Sequence, residues 1–318
     1  MAYVGALSLP GILILMSLTR DGEFVFKSPR AVLTSDLTKS MASVAVFGIA
    51  VTFGNSLIQY VDRIMINSIL GVADVGFYRV MFFYGTLVII PLRPLSKISA
   101  VVVAQSWKDN KKEEVLSVYR KSTIDQLLVG LLVFVGIWGN IDNVLHMIPD
   151  EYGGGKFVVF FIGLSNVFVM AAGVSGAIIS TSPRYKVLTV FIVIFGLLVV
   201  ATNLIFIKLF GIVGAAAASA ISVFAYSLMR VIFLMKRYKM QPFSLRHLVI
   251  LFIGVGVYLL SMLIPDLYNE NSKYLTLALD IIVRSGMITI VYVGLVYLFK
   301  LSPDLERFVG KLVKRIRS

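Results

Sequence analysis

The sequence predicts an all-α, polytopic helical membrane protein of about nine transmembrane helices. Three observations lead there. The 318 residues are 58% hydrophobic and only 15% charged, whereas soluble domains run nearer half apolar and a quarter charged. Mean hydropathy is +0.90. Several apolar runs reach the roughly 20 residues that span a hydrocarbon core, and backbone polar groups in lipid must be satisfied within their own segment, which favours helices.

The segments fall at 3–18, 41–61, 77–105, 122–146, 156–181, 187–208, 211–235, 247–265 and 276–300. The first is short. The third carries Pro91 and Pro94 around Arg93, so it should kink there and continue as an amphipathic extension toward Lys97 and Trp107. The turn joining the second and third is read at 64–76, made tight by Gly71 and Gly76. The fifth brings Asn166, Gly173 and Gly176. The seventh, GIVGAAAASAISVFAYSLMR, opens with Gly211 and Gly214 before an Ala run, small residues that let helix backbones approach closely. Ser219, Ser222, Tyr226 and Arg230 form a polar stripe on it.

Orientation follows from the loops. The connections 19–40, 106–121, 182–186 and 236–246, with the tail from Lys300, hold 21 of the 30 Lys and Arg. The opposite set holds five, namely Lys156, Lys208, Lys273, Arg63 and Arg79. This positive-inside bias places the C-terminus in the cytoplasm. The tail LERFVGKLVKRIRS reads either as an amphipathic helix on anionic lipid or as a topology anchor. The net charge of +13 is thereby assigned to membrane lipids, with no nucleic-acid partner expected. Nine spans then put the first residue outside without a leader. The reading expects the later part of a longer protein; a nine-span protein with an exported N-terminus is the alternative.

Neither an enzyme nor a cofactor is expected. No gap is long enough for a soluble catalytic domain, and no Gly-rich phosphate loop, HExxH or GxSxG occurs. Cysteine is absent and only His146 and His247 are present, so no metal site is anticipated.

The candidate site lies on the second segment. Thr52, Asn55, Gln59, Asp62 and Arg63 fall at i, i+3, i+7, i+10 and i+11, one continuous stripe on a helix. Facing lipid, Arg or Asp at mid-helix would cost about 2.5–3.5 kcal/mol on insertion scales. The stripe therefore faces other helices or water. It is either interhelical glue with an Asp62–Arg63 pair, or the lining of a central cavity. Arg79 opens the next span at the same rim. Two guanidiniums suggest an anionic partner such as phosphate, unless Asp62 and Asp74 neutralise them. Arg93 and Lys97 could receive a phosphate at the other face or snorkel to headgroups. Asp125 is a candidate coupling-ion carboxylate. Asp280 and Arg284 read as an i,i+4 ion pair.

The run YVDRIMINSILGVADVGFYRVMFFYGTLVIIPLRPL resembles the start of the second lobe of polysaccharide (O-antigen or capsule-type) flippases of the multidrug/oligosaccharidyl-lipid/polysaccharide exporter superfamily. NLIFIKLFGIVGAAAASAIS is similar to the helices near the end of that lobe. The resemblance implies a fold of two six-helix lobes. On it, 1–40 holds a leftover helix of the N-terminal lobe and a cytoplasmic linker, 41–240 is the C-terminal transport lobe, and 241–318 holds two extra helices and a basic tail. Most of the N-terminal lobe would be missing and would be a partner. The implied activity moves an undecaprenyl-pyrophosphate-linked glycan to the periplasmic leaflet of the bacterial inner membrane by alternating access. Arg63 and Arg79 occupy positions comparable with family cations. The alternative is a cation-coupled multidrug or small-molecule exporter of the same superfamily. A membrane polymerase and a non-transporting partner subunit are further readings.

Overall fold

The computed structural model describes residues 2–20, 34–266, 273–303 and 306–307. The chain divides into two compact units, 1–49 and 50–318. Every regular element among the described residues is helical. Among the described residues five helices are long and apolar enough to cross a membrane, as a helical membrane protein requires.

The first unit contains α1 (Ala2–Arg20), with Pro10 inside it, and the opening turns of α2 (Ser35–Ile69). The Thr34 hydroxyl accepts the backbone N–H of Leu37 at 3.3 Å, an N-cap that satisfies one of the orphan amides of the first turn.

The second unit holds the end of α2, then α3 (Val72–Thr86), α4 (Leu92–Lys108), α5 (Lys112–Gly139), the short α6 (Ile141–His146), α7 (Lys156–Ala171), α8 (Ser175–Thr181), α9 (Val187–Tyr238), α10 (Leu245–Ser261) and α11 (Lys273–Leu298). The third apolar segment breaks where its prolines require. A 3-10 turn at Leu87–Ile89 separates α3 from α4, and Pro91 is the residue before α4. The Gly85 carbonyl beside this break accepts Asn166 Nδ2 from α7 at 3.1 Å, so a backbone group next to the break is satisfied by a neighbouring helix.

Three boundaries differ from the sequence reading. The connection placed at 64–76 is only Leu70–Gly71: α2 runs to Ile69, and Gly76 sits inside α3. Gly71, at φ 114°, makes the turn alone. The apolar segment 156–181 is two helices, α7 and α8, divided at Gly173. The segments 187–208 and 211–235 are the arms of α9, which folds back at Gly211 with φ 60° and ψ −139°, a conformation that L side chains avoid. Phe195 stacks on Tyr226 at 4.7 Å, Phe191 meets Phe233 at 5.7 Å, and the Thr202 and Ser222 hydroxyls bond at 3.0 Å. These contacts pair the arms antiparallel along their length.

Two cores hold the unit. One joins α5, α7, α10 and α11 through Leu127, Leu131, Met170, Ile250, Ile288 and Tyr292. The other gathers α2, α3, α7 and α9 around Ile66, Tyr78, Met81, Ile162, Ile207 and Ala215. Helix α7 contributes to both, which makes it the hub.

The bundle has two distinct ends. At one, Trp107 packs on Tyr238, Arg120 donates to the Gln241 carbonyl, and Asp125 accepts from Ser302. The connections 106–121 and 236–246 and the start of the tail thus lie at this end. At the other, Tyr78 reaches Asp62 and Phe77 packs on Tyr152.

Candidate functional site

Helix continuity explains why the first cluster forms. Because α2 and α3 are joined by two residues, position 62 comes opposite position 78. Tyr78 Oη donates to Asp62 Oδ2 at 2.6 Å, and the Arg63 backbone N–H donates to Asp62 Oδ1 at 2.8 Å. Asp62 is 4% exposed and Tyr78 is fully buried. A short O–H···O⁻ bond is among the stronger polar contacts, so the carboxylate is held by α3 rather than by a guanidinium.

Arg63 goes elsewhere. Its guanidinium lies 4.7 Å from the Phe82 ring and 5.4 Å from that of Tyr60, a cation–π arrangement. Its Nε is buried without a hydrogen-bond partner. Among the described residues neither Arg63 nor Arg79 makes an ion pair, and Asp74 is not engaged with either. Arg79 is exposed, one residue from the buried Tyr78. Neither guanidinium is ion-paired, although the Asp62 carboxylate next to Arg63 still attracts its charge. Of the remaining stripe, Thr52 is exposed. The side chains of Asn55, Gln59 and Arg93 lie outside the described residues.

The second cluster stands at the cation-rich end. Asp125 lines a notch of about 260 Å³ between α4 and α5, with Ser99, Lys121, Ser122 and Gln126. Gln126 is 1% exposed, and neither its Oε1 nor its Nε2 has a partner, a costly arrangement for a buried amide. Ser302 Oγ donates to Asp125 Oδ1 at 2.9 Å.

A third group was visible in the sequence only as part of a stripe. Arg230, on the second arm of α9, lies 4.6 Å from the Tyr226 ring and donates to Ser227 Oγ at 3.2 Å. Its Nε has no partner, and the buried Tyr119 hydroxyl and Ser175 Oγ are also unpartnered. A Cβ added at Gly176 would stand 3.0 Å from Arg230 Nη1, so the absent side chain leaves room for the guanidinium against α8.

Compared with protein-family models, curated proteins and solved structures, the chain matches none. The site must therefore be judged on its own geometry. Among the described residues no group of three or more His, Asp or Glu could hold a metal ion. What the arrangement offers is three guanidiniums seated on aromatic rings or exposed, a carboxylate locked by a tyrosine, and a polar notch at the opposite end.

Tyr78 was missed as the partner of Asp62. The signal was present in principle, since a two-residue helix–helix turn sets 62 against 78, but placing the turn at 64–76 hid it.

Proposed function

We propose that the chain is a transport lobe of a lipid-linked oligosaccharide flippase, of the polysaccharide-exporter kind that its sequence resembles. It carries a phosphate-bearing, polyprenyl-linked glycan across a bacterial inner membrane by alternating access, together with a second helical lobe. Nine segments cross the bilayer in this reading, with the C-terminus and the cation-rich end in the cytoplasm. The chain is a transporter and no enzyme, and its partners are the lipid-linked glycan and membrane lipids.

One observation supports the reading: among the described residues Arg63 and Arg79 form no ion pair, and the nearest acid, Asp62, is hydrogen-bonded by Tyr78. An aromatic seat leaves the donor fork of a guanidinium open to a bidentate phosphate. Arg230 supplies a cation of the same character toward the other end, so a headgroup meets positive charge at both stages of its passage.

The test is complementation. In cells dependent on this transporter, Arg63→Gln with Arg79→Gln should lower surface glycan at least tenfold while the protein still inserts at normal abundance. Undiminished glycan in the double variant would remove the basis of the reading.

The Asp125–Gln126 notch favours a second reading, a cation-coupled small-molecule exporter. In that case Asp125→Asn abolishes transport and the arginine variants keep it.

A further inference from the structure

The apolar bore between α10 and the bundle does not enter the transport reading. A cavity of about 850 Å³, open along one flank where Leu248, Val255 and Phe224 are exposed, runs between α10 on one side and α5, α7 and the second arm of α9 on the other. Its walls are aliphatic and aromatic, with Leu131, Phe134, Phe168, Phe224, Leu251 and Val255 among them. Gly254 lets α10 approach α5 closely: a Cβ there would collide with Leu131.

The two ends of the bore differ. One is marked by Trp138 and Tyr258, with Trp138 packed on Phe160 at 4.9 Å. The other is marked by Phe243, Ser244 and His247. Here polar groups line the opening. His247 Nε2 and Thr123 Oγ1 are 3.1 Å apart, tying α10 to α5, and the Phe243 ring stands edge-on to the imidazole at 5.2 Å. Three exposed cations stand on the chain next to these lining residues. Arg246 lies between the lining residues Leu245 and His247, Arg120 reaches the Gln241 carbonyl at 3.0 Å, and Lys239 ends α9.

The length fits a lipid chain. From Leu127 to Trp138 on α5, or Leu245 to Tyr258 on α10, the bore extends roughly 16–20 Å at 1.5 Å per residue. One leaflet of a hydrocarbon core is about 15 Å deep. At the Trp138 end the nearby cation, Lys156, is already paired with Asp142; an apolar bore of one-chain length with three exposed cations near its other end is complementary to an anionic amphiphile.

We infer that this bore holds one acyl chain of a resident anionic phospholipid, its headgroup at Arg246, Arg120 and Lys239, seating α10 against the bundle. The occupant is a structural lipid and not cargo: a polyprenyl chain is several times longer than the bore, and the rim arginines lie at the opposite end. The inference stands apart from the transport reading and survives its failure.

Trp138 is a reporter placed at the end of the bore away from His247, and the chain has only one other tryptophan, Trp107, which packs on Tyr238. The full chain carrying Trp107→Phe is reconstituted with phosphatidylglycerol or phosphatidylcholine brominated near the chain terminus, and Trp138 fluorescence is read. Phosphatidylglycerol should quench at least threefold more than phosphatidylcholine at equal mole fraction. Arg246→Gln with Lys239→Gln should abolish the difference between the lipids. Ala171→Phe, which fills the bore, should reduce quenching by either lipid while circular dichroism shows the helices intact. Native mass spectrometry of the detergent-purified chain should show one phospholipid retained, with loss in the arginine–lysine variant. Equal quenching by the two lipids means ordinary annular contact and overturns the inference. So does retention of a polyprenyl phosphate, or of detergent alone, in place of the phospholipid.

Discussion

Arg284→Met is the substitution whose cost can best be worked from this structure. Asp280 is fully buried on α11, and Arg284 one turn later is 7% exposed. Arg284 Nη2 lies 3.2 Å from Asp280 Oδ2, Nη1 donates to the Ser261 carbonyl at 2.9 Å, and Nη2 also reaches Asp266 at 2.9 Å. Asn143 Nδ2 from α6 completes the set on Asp280. One guanidinium therefore joins α11 to the end of α10, and its carboxylate partner joins α11 to α6. Removing the arginine strands a buried carboxylate with Asn143 as its remaining side-chain donor, and breaking a buried pair from one side costs about 3–5 kcal/mol. Asp266 is 86% exposed, so Asp266→Asn should cost under about 1 kcal/mol. Asp280→Leu combined with Arg284→Met removes both charges, and replacing a whole buried pair by apolar groups is often near neutral. The double variant should recover at least half of the single variant's loss. The assay is reversible unfolding in mixed micelles, followed by circular dichroism across a denaturing-detergent titration. A loss below 1 kcal/mol for Arg284→Met, or a double variant as unstable as the sum of the singles, would refute the argument.

Two further outcomes follow from local geometry. Tyr78→Phe removes the 2.6 Å bond to Asp62, and a bond to a charged acceptor is worth roughly 1.5–3 kcal/mol; the same titration reads it, and the loss should shrink to about 1 kcal/mol in an Asp62→Asn background, whose amide oxygen still accepts from the tyrosine. Gly211→Val forces a branched side chain into φ 60°, ψ −139°, and strain of this kind costs on the order of 1–3 kcal/mol, seen as a lower apparent Tm with both α9 arms still helical.

Much of the fold was legible because hydropathy marks the segments that lipid would accept, and the breaks at Pro91 and Gly211 are written in residue type. The ion pair of Asp280 and Arg284 was legible for a similar reason: spacing of four fixes two side chains on one helix face. The turn after α2 was not. Charged residues at 62, 63 and 74 lower local hydropathy, yet the helices continue through them, since hydropathy reports the solvent a segment prefers and not whether its backbone is helical. For the same reason α5 begins at Lys112, well before its apolar stretch. Partners set by tertiary packing were beyond reach: Asn143 with Asp280, Thr123 with His247, and Phe82 with Arg63 each need helices that sequence spacing does not pair.

The hinge residue at Gly211 leaves no linker between the arms of α9. A polypeptide folded back this tightly offers no slack for one arm to slide past the other, and the ring stack of Phe195 on Tyr226 fixes their spacing further down. Whatever stroke the bundle makes, those fifty-two residues must swing as a single oar.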